Sequence, residues 1–131
     1  MTYDEIAAVI EQSYDGILVI DGNADVVLVN EGYFRITGLK KEDIVLHNFR
    51  EFIINSPFGK AACVEALETK RSYTQTHYKL VPGKVIMVTS NPIFDKEGNV
   101  RLVVSNCRDV SEMVELREQL ERAQEIEALF Y

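Results

Sequence analysis

Two runs rich in β-branched residues, Gly16-Ile17-Leu18-Val19-Ile20 and Ala24-Asp25-Val26-Val27-Leu28-Val29, flank the triplet Asp21-Gly22-Asn23. Turn residues of that kind between two β runs predict an antiparallel hairpin, and so fix the start of an antiparallel sheet. Further along, Ser72 to Leu80 alternates loosely and Pro82-Gly83 turns the chain. Lys84 to Ile93 is strongly β, Asp95-Lys96-Glu97-Gly98-Asn99 is a second hairpin turn, and Val100 to Cys107 reads as the last strand. Between the two strand groups the pattern is helical in short pieces. Glu31 to Thr37 stops at Gly38, Lys40 to Val45 gives a turn or two, and Asn48 to Ile53 gives another. Ser56-Pro57 reads as an N-cap and first helical position, predicting a helix to about Thr69 that buries Phe58, Ala61, Ala62 and Leu67. Two strands, a block of short helices and three strands predict an α+β fold: a five-stranded antiparallel sheet with the helices on one face.

The two ends differ from this core. Thr2 with Glu5 forms a capping box, and Tyr3, Ile6, Ala7 and Ile10 share one face of a short N-terminal helix over residues 1–13. The core then occupies 14–109 and a C-terminal helix occupies 110–131. Asp109 can cap that helix, with Glu112 reaching back. Its apolar seam, Met113, Leu116, Leu120, Ala123 and Phe130, is interrupted by Glu127 and follows a coiled-coil spacing. The same stripe also fits a helix laid on its own sheet.

Charge and composition exclude several function classes. Net charge is −7, and 110–131 carry six Glu against two Arg. No basic stripe exists, which argues against direct nucleic-acid binding by this piece. No apolar run approaches the roughly 18 residues of a membrane span, and the N-terminus lacks a basic region followed by an apolar one. The chain therefore reads as cytoplasmic. Cys63 and Cys107 lack a CxxC spacing and read as reduced thiols rather than a metal site. No nucleophile elbow, Walker loop or His-Glu-x-x-His motif is present, so the reading is not an enzyme, with no catalytic residues.

Several segments in order resemble a PAS domain: Asp15-Gly16-Ile17-Leu18-Val19-Ile20-Asp21, then Val29-Asn30, then Ile36-Thr37-Gly38. Ser90-Asn91-Pro92-Ile93-Phe94-Asp95 with Glu97-Gly98 resembles the last hairpin, and Arg108-Asp109-Val110-Ser111 resembles the closing Asp-Ile-Thr signature. The resemblance covers about residues 5 to 112. It implies a sensory and dimerisation module in which residues 108–111 transfer the signal from sheet to exit helix. The chain departs from the pattern at Val45-Leu46-His47-Asn48, where Leu46 stands in a place that is commonly Gly.

The resemblance also implies a pocket. It places Ile86, Val88 and Ser90 inward on one strand and Val103, Ser105 and Cys107 inward on the next, in keeping with period-two alternation. Phe34, Phe49, Phe52 and Phe58 would close the pocket from the helical side. Ser90, Ser105 and His77 would supply polar points around an apolar lining, which suits a small organic ligand with an apolar body. The alternative is that these side chains simply fill the core. Phe49 stands where light-sensing members carry the flavin-reactive Cys, which argues against a covalent flavin adduct. Residues 57–70 contain no His, which argues against haem bound as in haem-binding members.

Homodimerisation is expected through Ile6 and Ile10 of the first helix and the seam of Met113, Leu116 and Leu120. The run Leu116-Arg117-Glu118-Gln119-Leu120-Glu121 resembles the linker after PAS domains in sigma-54-dependent AAA+ transcription activators. That likeness, with a helix that runs to the last residue, implies an output domain downstream in the same chain. A sensor histidine kinase is the second reading, and a ligand-free dimerisation module the third.

Overall fold

In the computed structural model, which describes residues 1–54, 56 and 59–130, the hairpin turns show how the sheet is started. Asp21 Oδ1 accepts from the backbone N–H of Asn23 at 2.8 Å and of Asp25 at 3.0 Å. Asp95 Oδ1 does the same for Glu97 at 3.0 Å and Asn99 at 2.9 Å. Both turns then need a left-handed residue three places after the Asp. The second places Gly98 there (φ 86°), and the first places Ala24 (φ 68°), which is fully buried. Ala24 therefore belongs to the turn, and the second strand starts at Val26, two residues later than the sequence suggests.

The strands are β1 (Gly16–Asp21), β2 (Val26–Val29), β3 (Tyr73–His77), β4 (Ile86–Phe94) and β5 (Val100–Asp109). They form one antiparallel sheet in the order β2-β1-β5-β4-β3. β5 runs two residues past its expected end because Arg108 and Asp109 still pair with Met87 and Ile86. β3 stops at His77, and the turn carrying Gly83 (φ 76°) occupies the space before Ile86.

The helices are α1 (Tyr3–Gln12), α2 (Glu31–Thr37), α3 (Lys41–Ile44), α4 (Phe49–Ile54), α5 (Ala62–Thr69) and α6 (Ser111–Phe130). The expected start of the long helix at Ser56-Pro57 is corrected. Gly59 and Lys60 are not helical, and α5 begins at Ala62 behind Ala61, which makes no side-chain cap. Pro57 and Phe58 lie outside the described residues. Ala61 and Ala62 are buried as expected, because α5 sits directly over β3, β4 and β5. Gly38 ends α2 in the left-handed conformation, its N–H donating to the Phe34 carbonyl. The core lies between this helical layer and the inward side chains Leu18, Ile20, Ile86, Val103 and Cys107.

The ends stand outside the core. Thr2 and Glu5 form the reciprocal capping box, with both bonds at 3.1 Å, but α1 buries none of its residues. α6 also buries none: Met113, Leu116 and Leu120 are each 56–59% exposed. The helix is thus not laid on its own sheet. Asp109 accepts from the Ser111 amide at 3.0 Å and from the Ser111 hydroxyl at 2.6 Å. This short two-residue turn replaces the expected reciprocal pair with Glu112, because β5 continues through Asp109 before the helix starts.

Leu46 is left-handed (φ 63°) and 91% exposed. A left-handed L-residue costs roughly 1–2 kcal/mol, and Leu46 has almost no burial to offset it. Glycine would remove that strain but adds about 0.5–1 kcal/mol of backbone entropy to the unfolded chain. Leu46→Gly is therefore expected to stabilise by about 0.5 kcal/mol, a rise of roughly 2 °C in Tm. A fall in Tm by differential scanning calorimetry would show that Leu46 makes a contact worth more than the strain.

Candidate functional site

Period-two alternation turns four sheet residues toward the helical layer at one place: Leu18 on β1, Ser105 on β5, Val88 on β4 and His77 on β3. Opposite them stand Tyr33 and Thr37, one helical turn apart on α2, and Phe49, Phe52 and Ile53 on α4. Ala61 to Cys63 close the side at the start of α5, while Ser56, Lys60 and Leu80 complete the wall. Together these residues line a partly open cavity of about 60 Å³. Its lining is mainly apolar. The Phe49 and Phe52 rings lie tilted against each other with centroids 5.4 Å apart.

Of the residues expected in a pocket, the structure brings Phe49, Phe52, His77, Val88 and Ser105 to this wall. Ile86, Ser90, Val103 and Cys107 point inward as alternation requires, but they are fully buried in the core and do not line the cavity. The cavity crosses the sheet diagonally, from Leu18 on β1 through Ser105 and Val88 to His77 on β3, and leaves these four beside its path. Phe34 is half-buried against the core, one residue away from the cavity-facing row of α2, with its ring edge-on to Tyr33 at 5.8 Å. Phe58 lies outside the described residues. Tyr33, Thr37, Lys60 and Cys63 are wall residues that the sequence reading did not single out. The i, i+4 spacing of Tyr33 and Thr37 was the available signal for the first two. Lys60 and Cys63 gave none, since their place depends on where α5 begins.

The polar groups are few. The Ser90 and Ser105 hydroxyls lie 2.6 Å apart, both buried. Thr37 Oγ1 donates to the Tyr33 carbonyl at 2.7 Å. Lys60 Nζ sits 3.7 Å from the Glu65 carboxylate and 5.4 Å from the centre of the Tyr73 ring. Its pKa is raised, first by its hydrogen bond with the Tyr73 hydroxyl and then by the Glu65 charge. Burial lowers the pKa of His77, favouring its neutral ring. Desolvation pushes both Cys63 and Cys107 up to about 12. Neither thiol is a poised nucleophile. Among the described residues no cluster of three or more His, Cys, Asp or Glu could hold a metal ion. No helix among them is long and apolar enough to cross a membrane.

The cavity wall and the base of α6 share one strand. Val85, just ahead of β4, donates its N–H to Ser111 Oγ at 2.8 Å and accepts from the Val110 N–H at 2.9 Å. Val88, on the wall, is three residues further on. Asp109 is held below its ordinary pKa by the Ser111 hydroxyl, then by the Ser111 amide, with a smaller effect of Lys84. Arg108 Nε pairs with Asp15 Oδ2 at 3.3 Å, tying the end of β5 to the loop after α1. The four residues expected to pass a signal are therefore placed at the junction of β4, β5 and α6. Of the residues expected in a dimer seam, Ile6, Met113, Leu116 and Leu120 are exposed, while Ile10 is half-buried and its carbonyl accepts from Asn30.

The chain matches the family described as the PAS fold over residues 4–110. No curated protein matches it. Among solved structures it is similar to an RNA-binding light-oxygen-voltage receptor, with a TM-score of 0.67 and 18% identity, covering 97% of this chain and 38% of that one. The chain thus spans about two fifths of that receptor's length. It is also similar to a sensory box sensor histidine kinase from Vibrio cholerae, with a TM-score of 0.57 and 19% identity over 81% of this chain and 90% of that one. The PAS domain of BvgS from Bordetella pertussis gives a TM-score of 0.54 and 13% identity over 93% of this chain and 96% of that one. At such identities the likeness is one of fold. The family match runs from α1 to the junction with α6, and this chain belongs to the PAS fold family.

Proposed function

We propose that this chain is a cytoplasmic sensory module that binds a small molecule in its cavity and sets the geometry of a dimer through α6. The observation that carries this reading is the shared strand: Val88 faces the cavity, and the Val85 backbone holds the base of α6 by one bond to the Ser111 hydroxyl and one from the Val110 N–H. A displacement of β4 by an occupant is passed to the helix within three residues. The exposed seam of Met113, Leu116 and Leu120 gives a second copy an apolar stripe to cover. Phe49 on the wall and Cys63 held as a thiol leave a covalent flavin adduct outside this reading.

The output we propose is that of a sigma-54-dependent AAA+ regulator, on the likeness of Leu116 to Glu121 to its linker. The similarity to a Vibrio cholerae sensor histidine kinase favours a second reading in which the same junction feeds a kinase. A parent chain with a Walker A loop supports the first, and one with a phosphoacceptor His helix supports the second.

Native mass spectrometry of the chain, followed by the same sample under denaturing conditions, tests the sensory reading. A dimer carrying an extra mass lost on denaturation is the expected result, and a dimer at the bare sequence mass argues for a filled core. Sedimentation at high micromolar concentration is expected to give a dimer for the chain and a monomer once residues 110–131 are removed. A monomer for the intact chain overturns the role of α6.

A further inference from the structure

The cavity of about 60 Å³ has room for about four waters, hence for a compact molecule of about four or five non-hydrogen atoms. Its wall holds hydrogen-bonding capacity that the protein leaves unused. Tyr33 is 5% exposed, yet its hydroxyl makes no hydrogen bond among the described residues. Burial first, then the nearby Cys63 and Cys107 thiols, raise its pKa, so it remains a donor. The Ser90–Ser105 pair has two protons and one bond between them. When Ser90 donates, the proton of Ser105 is free for a partner in the cavity that Ser105 lines.

A buried acceptor also lacks a donor. Gln75 Oε1 is buried and unpartnered among the described residues. Gln75 lies opposite Val88 on the β3–β4 ladder and shares its inward face, but it does not line the cavity and so takes no part in recognition there. Charge is balanced. Among the described residues Lys60 is the one charged side chain on the wall and already faces Glu65 at 3.7 Å, while burial favours the neutral ring of His77. A carboxylate entering this partly open space would lose part of its hydration without a free counter-ion.

We propose that the cavity is selective for a small neutral molecule bearing a hydrogen-bond acceptor of the carbonyl kind, which accepts from Tyr33 and Ser105. This assignment rests on the reading of the cavity as a ligand site. The carbonyl oxygen takes the two spare O–H donors, and a short alkyl body meets Phe49, Phe52 and Val88.

Propionamide and propionate are nearly isosteric and differ in charge, so they separate the classes; xenon reports on space alone. In ¹H–¹⁵N titrations of the intact chain, propionamide is expected to shift β4, β5 and α2 amides saturably, and propionate to bind at least tenfold more weakly. Tyr33→Phe is expected to weaken propionamide about three- to tenfold while leaving xenon entry unchanged. Ser105→Ala gives a second readout should the first variant melt early. Propionate binding as tightly as propionamide overturns the neutral class and leaves the ligand site standing. Xenon entry with neither organic probe bound overturns the polar recognition. Exclusion of xenon as well overturns the ligand site itself.

Discussion

Asn30→Ala is expected to lower stability by about 4 kcal/mol, read as a fall in the urea midpoint at unchanged m-value. Asn30 is 1% exposed and its side chain makes four hydrogen bonds to backbone. Its Oδ1 accepts from Ile17 at 2.8 Å and from Tyr33 at 3.0 Å. Its Nδ2 donates to the carbonyls of Ile10 at 2.8 Å and Asp15 at 3.1 Å. One side chain thus joins the end of α1, the entry to β1 and the start of α2. A typical hydrogen bond contributes about 1 kcal/mol net, and each buried group left without a partner costs about 1–3 kcal/mol. Water entering the vacated space offsets part of that sum, which brings the figure to about 4 rather than 8. A loss below about 1 kcal/mol would mean that these bonds are remade elsewhere.

Gly16→Ala is expected to cost about 2–3 kcal/mol by the same measurement. A Cβ at Gly16 would lie 2.7 Å from Tyr33 Cα, 3.0 Å from Tyr33 N and 3.1 Å from Cys107 Cβ. The first two are backbone atoms and cannot rotate aside, so α2 must move off β1. Forcing extra volume into a packed site costs about 1–3 kcal/mol. The lower entropy of an unfolded chain with Ala in place of Gly returns only about 0.4–1 kcal/mol, so the clash wins. The shift also moves Tyr33, and with it the wall of the cavity. A loss under about 0.5 kcal/mol would show that α2 has slack against β1.

The strand and turn pattern of this chain was legible from local chemistry. An Asp that bonds two backbone amides ahead of it and a glycine that tolerates positive φ act within five residues, so hairpins, the α2 stop at Gly38 and the Thr2–Glu5 box follow from sequence alone. The same locality explains the misreadings. Ala24 occupies a left-handed position that Gly98 fills in the other turn, and nothing nearby in sequence marks it. Ser56-Pro57 has the chemistry of a helix start, yet α5 begins at Ala62, where contact with β3, β4 and β5 begins.

Asn30 shows where the division lies. Its capping of α2 could be read from its place after a strand, but its bonds to Ile10, Asp15 and Ile17 span 13 to 20 residues and exist only once three segments meet. The cavity is of the second kind. Alternation determined which side chains face inward. How closely the helices pack over each part of the sheet decided that Ile86, Val103 and Cys107 fill the core while Val88, Ser105 and His77 border open space. Sequence determined the faces, because periodicity is a property of the backbone; tertiary structure decided the space between them, because volume is shared by residues far apart in the chain.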